Sequence, residues 1–261
     1  MKIYVCVKHV PDTAASIKLA GDTGFEDSEI KFIANPYDEY GIEEAVSLVE
    51  KDGGEVVIVT VGKEDAVTTI RGAMAMGAHR AILVKTDSQF LDSSLTAKAL
   101  KAAIEQDGSG DLIFTGKGSV DTESFQTQYR LAKLVEMPVV NEVSSLLIDD
   151  GKAVVEREIG GGEKQVMEIS LPCVIGADRG LNEPRYPKFP DIMKAKKKEI
   201  REIEFSSLNL NCTESDESET MVEIEQLELV PERSGATMLE GNVNDQASQL
   251  IKILQQDEKV L

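Results

Sequence analysis

Three short segments of this chain hold the residues that could do chemistry, and all three favour binding over bond-making. The first is Gly116-Lys117-Gly118, which follows the apolar run 112–115 and precedes a predicted helix over about 124–134. Glycines let backbone amides approach a phosphate, and the start of a helix offers it a positive end. Gln126 and Thr127 add side-chain donors. Gly-Lys-Gly is neither a Walker loop nor a G-x-G-x-x-G fingerprint. The residues alone therefore leave a nucleotide cradle and an ordinary turn side by side.

The second segment spans 181–198 and reads Leu-Asn-Glu-Pro-Arg-Tyr-Pro-Lys-Phe-Pro-Asp-Ile-Met-Lys-Ala-Lys-Lys-Lys. Its three prolines within seven residues predict no regular structure across 184–190. Tyr186 and Phe189 stand beside cations, the mixture of a docking surface; the alternative is that Phe189 folds back onto its own domain. The third segment is Val155-Glu156-Arg157-Glu158, where alternation puts the two glutamates on one face and suits structural pairing. No nucleophile–base set appears. His9 and His79 are isolated, and Cys6, Cys173 and Cys212 are scattered without a CxxC pair, which argues against a zinc or iron–sulfur site and for a reducing cytoplasm.

These segments must be held by a scaffold whose pattern is legible. Residues 3–7, 55–61, 81–84 and 112–115 are short apolar runs, and predicted helices over about 36–52, 64–76, 94–105 and 124–134 separate or follow them. Asn35 or Asp38 can cap the first helix, and Pro36 suits its first turn. Such alternation predicts a doubly wound, mostly parallel sheet. Right-handed crossovers bring the ends of the first, second and fourth strands to one edge, where Cys6, Asn35-Pro36-Tyr37-Asp38, Val61-Gly62 and residues 116–127 would meet. Residues 14–34 read as loop. Between 139 and 169, turns at Asp149-Asp150-Gly151 and Gly160-Gly161-Gly162 predict β-hairpins on the sheet edge, and 172–177 is one more strand.

The formal net charge is −19, which opposes nucleic acid and anionic membranes. Twelve acidic and three basic residues fall within 206–261, so that stretch carries 3 − 12 = −9 of the total. Residues 212–220 read as a polar linker, 221–230 as a short strand-like run, and 245–255 as a helix with Ala247, Leu250, Ile251 and Leu254 on one face. An apolar face on a polar tether embraces a partner subunit or its own domain. No stretch reaches the roughly 18 apolar residues of a membrane span, and the start of the chain lacks a signal-peptide core.

Several motifs together resemble one family. Val5-Cys6-Val7-Lys8, Asn35-Pro36-Tyr37-Asp38, Ala73-Met74-Ala75-Met76-Gly77-Ala78, Gly116-Lys117, Val155-Glu156-Arg157-Glu158, Asn182-Glu183-Pro184-Arg185-Tyr186 and Ile192-Met193-Lys194-Ala195-Lys196-Lys197-Lys198 look like the beta subunit of electron-transferring flavoproteins. The likeness runs in order from residue 1 to about 205. It implies an adenine nucleotide alpha hydrolase-like (Rossmann-like) domain over 1–205, with a docking loop at 181–198 and an acidic C-terminal arm over 206–261 that embraces a larger alpha subunit. It implies FAD held mainly by that subunit, with Thr13 and Tyr37 of this chain toward the flavin. It also implies AMP at Cys6, Asn35, Pro36, Tyr37, Asp38, Val61, Gly116, Lys117, Asp121, Ser124, Phe125, Gln126 and Thr127. The docking surface it implies takes in Glu158, Arg185, Tyr186, Phe189, Pro190, Ile192 and Met193. Electrons would pass from acyl-CoA dehydrogenases to a membrane quinone oxidoreductase, with no catalytic residue in this subunit.

The chain departs from the family pattern in three places. Phe189 stands where leucine is usual. The stretch 121–127 carries Phe125 where a small or polar residue is typical. Thr13 replaces a frequent aromatic, and Val10-Pro11-Asp12-Thr13 resembles the electron-bifurcating branch, in which a second FAD takes the AMP site and NADH is the donor. The segments around Arg185 and Lys196 resemble the ordinary branch. A stand-alone adenine-nucleotide sensor is the alternative of another class.

Overall fold

A computed structural model describes residues 1–208, 210, 221–231 and 235–260. The linker read at 212–220, with Cys212, lies outside the described residues. The chain divides into two units, Met1–Leu227 and Glu228–Leu261.

The first unit is built on one nine-stranded sheet. Its strands are β1 (Lys2–Cys6), β2 (Glu55–Gly62), β3 (Arg80–Lys85), β4 (Leu112–Gly116), β5 (Val139–Asp149), β6 (Lys152–Gly160), β7 (Glu163–Ser170), β8 (Cys173–Ala177) and β9 (Ile200–Glu204). They lie in the order β7-β6-β5-β8-β4-β1-β2-β3-β9. All neighbours are parallel except β6, which is antiparallel to both β5 and β7. The predicted hairpins thus extend the main sheet itself, because β5 pairs in parallel with β8 before it turns. Asp150 (φ 42°) and Gly151 (φ 73°) supply the two positive φ values that a tight hairpin turn needs.

Alternate residues of each central strand feed opposite layers. Ile3 and Val5 pack with Ile42, Val46, Ile70 and Met74 on one face. These come from α1 (Pro36–Asp52) and α2 (Val67–Ala75). Tyr4 and Cys6 pack with Leu95, Leu100, Leu131 and Ala132 on the other. Those belong to α3 (Ser93–Asp107) and α4 (Thr127–Leu134). Asp92 caps α3 by accepting from the Leu95 amide at 2.7 Å. Both faces covered, with α1 and α2 on one side and α3 and α4 on the other, is the doubly wound, Rossmann-like arrangement the spacing predicts. The chain steps outward from β1 through β2 to β3, then returns to place β4 on β1's far side. That reversal makes the crevice between β1 and β4 a topological switch point.

Several elements differ from expectation. Residues 14–34, read as loop, take part in two short antiparallel ribbons, Phe32–Ala34 with the preceding His9–Pro11 and Leu19–Ala20 with Gly24–Phe25. A further helix, α5 (Phe189–Ala195), starts inside the proline-rich segment, because Pro190 sits in its first turn, where no amide hydrogen bond is lost. Residues 221–227 form no strand; they lie along the first unit, with the Leu227 amide on Asp22 O at 2.7 Å. In the second unit, α6 (Val243–Gln256) begins two residues earlier than predicted. Asn242 and Asp245 form a reciprocal capping box there. Its apolar residues Ala247, Leu250, Ile251 and Leu254 share one helical face by spacing. No helix among the described residues is long and apolar enough to cross a membrane.

Candidate functional site

At the switch point three segments are stapled together by two side chains at the start of α1. Asp38 accepts from the Lys8 amide at 2.7 Å through Oδ2. Through Oδ1 it accepts from the Gly116 amide and from Asn35 Nδ2, both at 2.9 Å. Asn35 Nδ2 also donates to Gly118 O at 2.9 Å, and Asn35 Oδ1 accepts from the Val120 amide at 3.1 Å. The Asn35 amide donates to Lys8 O at 2.9 Å. Neither side chain caps its own helix; both join the end of β1, the start of α1 and the loop after β4. Burial pushes the Asp38 carboxyl up to about 7, and its three donors pull the other way. The Cys6 thiol, buried next to it, is also pushed up, first by burial and then by the Asp38 charge.

The loop after β4 packs where only backbone fits. A Cβ at Gly116 would overlap Asp38 Oδ1 and approach Tyr37 Cβ to 2.7 Å. One at Gly118 would meet the Phe125 ring at 2.5 Å. Phe125 therefore lies over Gly118, and it takes φ 50°, as Glu123 takes φ 46°. These positive φ values delay α4 to Thr127, three residues later than the spacing predicts. The backbone amides of residues 124–127 make no hydrogen bond among the described residues. Free amides at a helix start are groups that can receive an anion.

Side chains around this loop are partly those expected. Cys6 is buried, Val61 and Thr127 are half-buried, and Asp121, Ser124 and Gln126 are exposed. Gln126 Oε1 accepts from Arg130 Nη2 at 2.7 Å. Lys117 turns its ammonium to Asp178 at 3.1 Å and over the Tyr37 ring, 4.9 Å from its centroid. Thr13 is exposed in the turn closed by the Ala15 amide on Asp12 O at 2.8 Å.

Four residues that the sequence reading did not assign to the site complete the arrangement. Lys8 reaches Asp121 at 2.7 Å and Ser119 Oγ at 3.3 Å, holding the loop down. Buried Gln128 donates to Lys117 O at 2.8 Å and Phe125 O at 3.2 Å, and Asn141 donates to Lys117 O at 3.0 Å. Asp178 pairs with Lys117. Lys8 alone left a signal, as a charge closing an apolar strand.

The second candidate surface is continuous in sequence. Tyr186 is 95% exposed and Phe189 74%, so Phe189 does not fold back. Pro190, Ile192 and Met193 are exposed on α5. Arg185 instead turns inward to Glu43 and Glu50 of α1. Glu158 is exposed on β6, opposite Lys164 of β7.

A family profile described as Electron transfer flavoprotein domain matches residues 22–208. The chain is 36% identical over 263 residues to the electron transfer flavoprotein subunit beta of Bacillus subtilis (strain 168), with both chains covered in full. It is 36% identical over 261 residues to that of Syntrophomonas wolfei, covering 100% and 98%. It is 37% identical over 243 residues to the mitochondrial protein of Arabidopsis thaliana, covering 92% and 93%. With this identity sustained from end to end, the chain belongs to the electron transfer flavoprotein beta-subunit family.

Proposed function

We propose that this chain is the nucleotide-holding and partner-docking half of a heterodimeric electron carrier, with FAD held mainly by a larger alpha subunit and AMP held here as a structural ligand. The observation that carries the reading is the cradle at the switch point. There Asn35 and Asp38 fix a glycine loop whose following amides are unpartnered. These residues fit an adenine nucleotide with one phosphate: the amides of 124–127 and the start of α4 suit the anion, and the buried Cys6 and half-buried Val61 line the apolar side. Thr13 and Tyr37 would lie toward the flavin, which supplies the redox chemistry when bound. This chain's share is to wall it, to order the nucleotide and to present the docking segment, with no bond made or broken by its own side chains.

In this reading acyl-CoA dehydrogenases deliver electrons at the segment 181–198, and a membrane quinone oxidoreductase receives them. The acidic arm from 206 onward clasps the alpha subunit, α6 offering its apolar face. Free, buried Cys6 and Cys173 support a reducing compartment such as the cytoplasm. A small, transient interface suits a carrier that must release each partner.

The test is to co-express this chain with its alpha subunit, denature the purified complex and quantify the released cofactors. The reading expects one FAD and one AMP per heterodimer. Two FAD and no AMP would replace it with the bifurcating carrier that Val10-Pro11-Asp12-Thr13 resembles. A chain that binds AMP but never co-purifies with a larger subunit would point to a nucleotide sensor.

A further inference from the structure

The segment 182–198 is fastened to the body at both ends. At its start Asn182 donates to Tyr40 O at 3.0 Å and to Glu44 at 2.9 Å. Arg185 then forks onto α1: its Nε reaches Glu43 Oε2 at 2.8 Å, Nη2 reaches Glu43 Oε1 at 2.9 Å, and Nη1 reaches Glu50 at 2.6 Å. Glu43 is buried, so its charge depends on this partner. At the other end α2 and α5 cap each other. Arg71 Nη1 donates to Ala195 O at 2.7 Å and Lys198 O at 2.5 Å. Lys198 Nζ donates in return to Met74 O at 3.0 Å and Ala78 O at 2.6 Å. These are carbonyls at or just past two helix ends, which lack partners within their own helices.

Between the two clamps stand Tyr186, Phe189, Ile192 and Met193, all exposed. A seven-residue helix has no stability of its own in water, so α5 exists because it is held. Arg185, Arg71 and Lys198 spend their donors inside the chain. Lys188, Lys196 and Lys197 are exposed or half-exposed around the apolar group and have no ion pair among the described residues.

On the docking role proposed above, we infer that Arg185 and the Arg71–Lys198 pair are positioning residues, which hold Phe189 and its neighbours in their bound geometry before encounter and do not touch the partner. The surface they present fits a flavoenzyme with an apolar socket for an aromatic side chain, rimmed by carboxylates. Because the segment is ordered at folding, its ordering cost does not fall on binding.

The test uses the heterodimer with its alpha subunit, in the variants Arg185→Met, Arg185→Lys, Arg71→Met, Phe189→Ala and Arg185→Met/Phe189→Ala. Hydrogen–deuterium exchange on the carrier alone comes first. Peptides covering 186–196 should exchange about tenfold faster in Arg185→Met and Arg71→Met, with the rest of the sheet unchanged. Steady-state reduction by an acyl-CoA dehydrogenase, with the carrier as varied substrate, comes second. KM should rise about tenfold with kcat within about twofold, and Arg185→Lys should recover part of the loss. On the Phe189→Ala background the Arg185→Met effect should shrink to under about twofold, since a positioning residue has nothing left to position.

Unchanged exchange in both variants, or a full tenfold effect persisting without Phe189, overturns the inference; the latter would make Arg185 a direct contact. If Arg185→Met does not assemble, Arg71→Met carries the same measurements from the opposite clamp. A wild-type carrier that the dehydrogenase does not reduce defeats the partner reading, while the exchange rates still decide whether the clamp orders the segment.

Discussion

Replacing Gly116 with alanine tests the cradle at its tightest point. The new Cβ would overlap the Asp38 carboxylate and come within 2.7 Å of Tyr37 Cβ and 3.0 Å of the Tyr37 backbone. Backbone on one side and a buried carboxylate on the other leave nothing that can swing away. The start of α1 must shift, and the Gly116 amide loses Asp38 at 2.9 Å. Overpacking costs about 1–3 kcal/mol and an orphaned buried amide about as much. Taken together as about 3 kcal/mol, this lowers Tm by about 6–12 °C for a chain of this size. Gly72→Ala is the matched control. It lies within α2 with open space where its Cβ would be, so it should raise stability by about 0.5–1 kcal/mol. Thermal unfolding by circular dichroism of the heterodimer, alongside assay of released AMP and FAD, reads both. Gly116→Ala should lose AMP and keep FAD. If it melts with the wild type and retains AMP, the loop after β4 is not the nucleotide cradle.

Three other outcomes follow from charge and burial. Although burial pushes the Asp107 carboxyl up, Arg80, Lys2 and Tyr4, at 2.8 to 2.9 Å, hold it well below the usual carboxylate range. Its contribution is present above about pH 4 and lost as pH falls further. Asp107→Asn should therefore cost about 2–4 kcal/mol in urea titrations at pH 7 and much less near pH 2. Asp38 has the opposite sign. A buried carboxyl raised from 3.8 to about 7 stabilises the fold below its unfolded value and loses that contribution as pH rises through 7. The stability of wild type relative to Asp38→Asn should thus fall by up to about 4 kcal/mol between pH 4 and 8, and a constant difference would refute the assignment. Burial pushes the Cys173 thiol up to about 12 and raises Cys6 as well. Peptide mapping after treatment with a thiol reagent at pH 8 should find both unmodified until denaturant is added.

The strands β1, β2 and β4 were legible because burial on both faces writes a nearly unbroken apolar run. The hairpin at 149–152 was legible because Asp-Gly suits two positive φ values. What the pattern could not convey was reach. Asn35 and Asp38 look like helix caps, yet their polar atoms are consumed by Lys8, Gly116, Gly118 and Val120, up to 85 residues away. Arg185 looks like a surface cation, yet its partners lie 135 and 142 residues earlier. The run 221–230 alternates apolar and acidic residues as a strand would, but a strand needs a neighbour, and none of its described residues pairs. Proline density hid α5, since Pro breaks a helix interior and tolerates its first turn. The glycine loop at 116–118 left a nucleotide cradle and an ordinary turn equally open, and the flavin expectation rests on family motifs, not on the spacing of any donor set.

The sheet's open edges bear on the life of the subunit before assembly. One edge, β7, carries Glu163, Lys164 and Glu168, tied across to β6 by Lys164–Glu156 at 3.4 Å and Lys152–Glu168 at 2.7 Å. The other, β9, carries Arg201, Glu202 and Glu204, with Glu204 on Lys85 at 3.3 Å. Charge on an exposed edge makes it a poor template for a stray strand, because every added chain would have to strip water from these groups. A newly made subunit awaiting its partner is thereby guarded against polymerising edge to edge.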